Sequence, residues 1–150
     1  MPIRILVVDD SEPWRRFVCS KVRQEPELQI ICEATDGPLA VHRAKELKPD
    51  LILLDIGLPT LNGVEAARTI CKLVPKSKIL FLSQESSADV VLEALGIGSA
   101  FVLKADASKE LIPAIRTVIL GNQFLSSTLA GHFFSEVVDS VISARLQLLL

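Results

Sequence analysis

The chain has 150 residues, is 49% hydrophobic and 23% charged, and carries a formal net charge of -2. That length fits one domain with room for an appendage, and such a chain buries about two-thirds of its unfolded surface. The composition excludes intrinsic disorder, and without a basic excess it argues against a nucleic-acid surface.

The apolar stretch behind Met1 is too short and too quickly charged for a signal peptide. No run approaches the roughly 18 apolar residues of a membrane span. Cys19, Cys32 and Cys71 are odd in number and form no CxxC pair, so a disulfide framework is not expected and a reducing cytoplasm is.

Short apolar runs alternate with amphipathic stretches. Ile3 to Val8 is a β-branched-rich strand candidate, and residues 13–25 carry helix-period apolar positions at Trp14, Phe17, Val18 and Val22. Leu28 to Cys32 is a second strand run. Asp36 is placed to cap a helix through Leu47. Leu51 to Leu54 is apolar at every residue, as a strand covered on both faces should be. Asn62-Gly63-Val64-Glu65 and Ser86-Ser87-Ala88-Asp89 resemble capping boxes for helices ending near Leu73 and Leu95. Between and after these helices, Ile79 to Leu82 and Phe101 to Leu103 are the fourth and fifth strand runs. A fifth helix is expected from about Asp106 to Leu120, stopped by Gly121-Asn122. Pro113 falls inside it, so that helix is expected to start late or bend.

Five strand–helix units predict an α/β fold with a doubly wound, five-stranded parallel sheet of flavodoxin-like order 2-1-3-4-5. Residues 1–122 form this domain, and residues 123–150 a helical extension or linker. Ala130, Phe134, Val137, Val141, Ala144 and Leu148 give the extension a wide apolar helical face. Three fates stay open for it: a homodimer helix through residues 126–150, packing on its own domain, or the start of a linker to a downstream output domain.

Polar residues collect at the carboxyl ends of the strands, where open α/β sheets bind ligands. Asp9 and Asp10 follow strand one, Asp55 ends strand three, Ser83 follows strand four and Lys104 follows strand five. Three carboxylates in one crevice repel one another unless one is protonated or a cation sits among them. A hard cation such as Mg2+ suits oxygen ligands and draws phosphate into a negative site. A carboxylate there can attack phosphorus, with Lys104 and Ser83 steadying the phosphoryl oxygens. Taken alone, Asp9 and Asp10 are equally well read as caps of helix one.

Val7-Val8-Asp9-Asp10, Leu54-Asp55-Ile56-Gly57-Leu58-Pro59 through Asn62-Gly63, Leu82-Ser83 and Phe101-Val102-Leu103-Lys104 together resemble the receiver domain of bacterial two-component response regulators. The resemblance covers about residues 3–122 and implies a CheY-like fold. It implies that Asp55 is the phosphoacceptor for a sensor histidine kinase. It further implies that Asp9, Asp10, Asp55 and the Gly57 carbonyl hold Mg2+, and that Ser83 and Phe101 form the switch pair. The stretch Lys104 to Leu111, with Leu120-Gly121-Asn122, is most similar to the NarL/LuxR-type subgroup with DNA-binding outputs. This chain alone, lacking a basic recognition helix, is not expected to read DNA. Ala105 stands where the family often has proline, and Gln84 where a small residue is usual.

Other readings are less eventful. Gly96-Ile97-Gly98 lacks the third glycine of a dinucleotide fingerprint and precedes a strand instead of following one. His42 and His132 have no partners at metal-ligand spacing. Trp14, next to the acidic pair in sequence, either covers helix one or borders the site, and packing is the favoured reading. A haloacid-dehalogenase-type phosphohydrolase would need a second acid where Gly57 stands. A binding module independent of phosphorylation is the remaining alternative.

Overall fold

A computed structural model describes residues 1–84, 87–131 and 147. The strands are β1 (Ile3–Val8), β2 (Leu28–Ala34), β3 (Leu51–Leu54), β4 (Lys78–Ser83), β5 (Ala100–Leu103) and β6 (Phe124–Leu125). The helices are α1 (Glu12–Arg23), α2 (Gly37–Leu47), α3 (Gly63–Leu73), α4 (Ala88–Leu95) and α5 (Ala107–Ile119). All neighbouring strands are parallel, in the order β2-β1-β3-β4-β5-β6. The expected five-strand order is present, and β6 extends it. Two residues are too short a run to give a periodic signal, which is why the sequence reading omits them.

Strand parity sorts the core into two layers. Ile5, Val7, Leu51, Leu53, Leu80, Leu82, Ala100 and Val102 face α1 and α5. Leu6, Val8, Ile52, Leu54, Ile79, Phe81, Phe101 and Leu103 face α2, α3 and α4. Leu51 to Leu54 need no alternation because both of their faces are covered.

The helix starts follow local chemistry. Asp36 Oδ1 accepts from the Leu39 N–H at 2.7 Å and Asn62 Oδ1 from the Glu65 N–H at 3.0 Å. Helix α1 begins one residue earlier than expected and is capped by Ser11, not by Asp9 or Asp10. For α4 the N-cap is Ser87; Ser86 lies outside the described residues. Helix α5 does not start late: it opens at Ala107, after a 3-10 turn over Lys104–Asp106, and runs through Pro113. Pro113 sits on the exposed side of that helix. The helix ends in a Schellman turn: Gly121 at φ 92 donates to Val118 O, and Asn122 N–H to Thr117 O.

The chain then lies along β5. The Ser126 N–H donates to Phe101 O at 2.8 Å. Residues 127–131 are helical, and Leu129 is buried in the cluster that holds Phe101 and Val91. The rest of the expected amphipathic helix, including Phe134, Val137, Val141, Ala144 and Leu148, lies outside the described residues.

Candidate functional site

The crevice forms where β1 and β3 end side by side. The ladder continues one residue past each strand: Asp9 N–H donates to Ala34 O at 3.1 Å and Asp55 N–H to Val8 O at 3.0 Å. The two carboxylates are therefore fixed by backbone on neighbouring strands. Asp9 and Asp55 are buried and Asp10 is exposed. One oxygen from each of Asp9, Asp10 and Asp55 lies within 4.8 Å of the others.

Asp9 Oδ1 accepts at 2.9 Å from the N–H of Ser11, the α1 cap residue. Its Oδ2 lies 2.8 Å from the buried Lys104 Nζ, which is 3.6 Å from Asp55 Oδ2. Asp55 Oδ1 accepts from Gly57 N–H at 3.4 Å. One ammonium thus serves the two buried carboxylates, and exposed Asp10 completes the acid cluster beside them. Burial, followed by the Asp9 charge, holds the Asp55 carboxyl above its ordinary value, while Lys104 pulls it down.

The loop after Asp55 is pinned by a close approach of backbone. A Cβ on Gly63 would stand 2.1 Å from Asp55 O, and the Gly63 N–H donates to Ile56 O at 2.8 Å. Only glycine lets the start of α3 sit against the chain that carries Asp55.

The crevice has a volume of about 510 Å³ and is lined by Asp10, Ser11, Trp14, Asp55, Ile56, Gly57, Ser83, Gln84 and Lys104. Asp9 lies behind this lining. Ser83 is buried at the end of β4, in register with Leu103. Gln84 is exposed at the rim. Phe101 is not in the lining; it is fully buried and tilts against Phe81 with ring centroids 6.3 Å apart. The peptide bonds are trans among the described residues, Lys104–Ala105 included.

Trp14 fulfils both of its readings, the favoured one and the other. It packs beside Phe17, as expected, but it also borders the crevice, with Lys104 Nζ 5.0 Å from its ring centroid. Strand parity was the available signal: Asp9, Asp55 and Lys104 continue the alternation that faces α1. His42 is exposed, 3.9 Å from Glu46 Oε2, and His132 lies outside the described residues. In the Gly96–Gly98 turn, a Cβ on Gly98 would stand 2.7 Å from the Phe81 ring. That glycine serves packing.

A parallel sheet in this order, with a carboxylate crevice at its carboxyl edge, defines the CheY-like receiver class. Residues 5–116 match the response regulator receiver domain family, and the chain belongs to that family. It is 33% identical over 139 residues to the transcriptional regulatory protein LiaR of Bacillus subtilis, covering 92% of this chain and 66% of LiaR. The fold matches a LuxR-family two-component response regulator from Aurantimonas sp. SI85-9A1 with a TM-score of 0.86 at 27% identity, covering 92% of this chain and 99% of that one. It also matches the response regulator domain of Thermotoga maritima CheB with a TM-score of 0.74 at 34% identity, covering 79% of this chain and 97% of that one. The chain spans 57% to 66% of the length of three curated relatives that it matches. Among the described residues, no helix is long and apolar enough to cross a membrane.

Proposed function

We propose that the chain is a phosphorylation-controlled switch in two-component signalling, with Asp55 as phosphoacceptor. The observation that carries this reading is the convergence of Asp9, Asp10 and Asp55 within 4.8 Å beside the buried Lys104 ammonium. An Asp55 oxygen attacks the phosphorus of a sensor kinase phosphohistidine. The N–P bond breaks as the O–P bond forms, and the imidazole leaves. Lys104 takes a phosphoryl oxygen and Ser83 donates its hydroxyl to another.

Asp9, Asp10, Asp55 and Gly57 would hold Mg2+, since three clustered carboxylates with one ammonium leave excess negative charge suited to a hard cation. The ion, when bound, supplies the charge that lets a phosphate dianion approach. The chain turns over no other substrate and catalyses only its own phosphorylation and dephosphorylation. Gly57, where a phosphohydrolase needs its second acid, supports this.

Phosphorylation shifts an existing equilibrium of the Ser83 loop, α4 and the Phe101 strand, altering a protein-binding face. Residues 1–122 act as the receiver and 123–150 as the extension that carries its output, either to a homodimer or to a downstream domain. On this reading the chain sits in the cytoplasm, where a reducing environment keeps thiols such as Cys19, Cys32 and Cys71 unpaired. Intact-mass analysis after incubation with acetyl phosphate and Mg2+ tests the reading. The expected result is one phosphoryl group on the wild type and none on Asp55→Asn; equal labelling of both overturns it.

A further inference from the structure

We propose that Trp14 is a positioning residue for Lys104, an inference that rests on the phosphoacceptor reading of Asp55. The Lys104 ammonium has three attractive neighbours: Asp9 Oδ2 at 2.8 Å, Asp55 Oδ2 at 3.6 Å and the Trp14 ring, 5.0 Å to its centroid. The ring attracts a cation through its quadrupole, and it does so without a formal negative charge. It therefore holds the ammonium at the crevice without adding repulsion against an incoming phosphate.

The ring is itself fixed. The Trp14 backbone N–H donates to the Ser11 hydroxyl at 3.5 Å, the cap bond that anchors this residue's backbone in the first turn of α1. Its indole meets Phe17 edge to face, at 5.4 Å and 88°. Lys21 Nζ lies 5.9 Å from the Phe17 ring centroid. Residues 14, 17 and 21 share one side of the helix, so two rings lie between two ammonium groups. The arrangement restrains a long, flexible lysine side chain, and positioned charge is what a phosphoryl-transfer site depends on. Because Trp14 also lines the crevice, its ring forms a wall beside the phosphoryl group.

The test compares the full chain with Trp14→Phe and Trp14→Leu. Acetyl phosphate labelling of Asp55 is timed with Mg2+, and the Lys104 ε-methylene proton shifts are measured by NMR in metal-free protein. Trp14→Leu is expected to label about fivefold more slowly, the lower range of a cation–π contact expressed as a rate, while Trp14→Phe stays within about twofold. The ring should shift the lysine ε-protons upfield in the wild type, and Leu should abolish that shift. Wild-type labelling speed in Trp14→Leu overturns the proposal, as does an unshifted lysine in the wild type, a measurement that needs no variant to fold. A wild-type chain that takes no label overturns the phosphoacceptor reading instead.

Discussion

Lys104 Nζ lies closer to Asp9 than to Asp55, 2.8 Å against 3.6 Å. The lysine therefore rests mainly on the carboxylate behind the crevice lining, and Asp55 keeps only part of its compensation. Removing the lysine leaves two buried carboxylates facing each other. Lys104→Met is expected to cost about 3 kcal/mol of stability at neutral pH in metal-free protein, as for other broken buried pairs. Denaturant unfolding at pH 7 and pH 4 checks this, and the loss should shrink at pH 4 as Asp55, whose value burial holds above the ordinary one, takes up its proton.

Asp55 gives the opposite mutational sign. Burial and the Asp9 charge raise its folded value above the ordinary 3.8. A raised acid contributes stability that is complete below the unfolded value and is lost as pH rises through the folded one. In metal-free protein, Asp55→Asn should thus melt above the wild type at pH 7, with the difference vanishing near pH 3. Adding Mg2+ should raise the wild-type melting temperature and raise that of Asp55→Asn much less.

Trp14 is the only tryptophan in the chain and lines the crevice. Titration with Mg2+, and then with beryllofluoride, should change its emission in the wild type. Emission that stays flat through both titrations would contradict the proposed ion and phosphoryl sites together.

The start of the C-terminal extension is held by two acids. The buried Ser126 hydroxyl donates to Asp106 and lies 2.9 Å from Glu110 Oε2. The Thr128 hydroxyl donates to Asp106 Oδ1 at 2.9 Å, and the Ser127 hydroxyl donates to Glu110. The Ser126 hydroxyl, then that of Thr128, holds the Asp106 carboxyl below its usual range. A lowered acid contributes stability above its unfolded value and loses it as pH falls through the folded one. Ser126→Ala should cost about 1–2 kcal/mol and speed amide exchange at residues 124–131. The penalty should fade once acid protonates Asp106.

Gly63→Ala forces a Cβ into the Asp55 carbonyl. A loss of about 2 kcal/mol or more is expected, because the clash is with backbone and nothing flexible can yield. A melting curve measures it, and labelling of Asp55 should fall in parallel.

Strand order and the acid crevice were legible because β1, apolar apart from Arg4, and β3, apolar throughout, are short and end directly in Asp9 and Asp55. The pairing of Lys104 with Asp9 was not. Which of two carboxylates an ammonium prefers depends on the Ser11 cap and the depth of Asp9, and neither is a sequence pattern. Trp14 was half legible: helical spacing puts it on the apolar side of α1, but only strand parity brings Lys104 to that side. Strand β6 escaped notice because two residues carry no period, and its evidence is tertiary: Ser126 bonded to β5 and Leu129 in the core.

The addition of β6 changes the account of the open borders of the sheet. Beyond β5, an incoming strand would have to displace the chain's own Phe124 and Leu125. At the opposite border, β2 carries exposed Gln29 and Glu33 and breaks register between Ile5 and Leu6 of its neighbour. Irregularity and charge blunt one margin and self-coverage the other, so a chain with mean hydropathy +0.42 offers no long, flat template for edge-to-edge aggregation within its described residues.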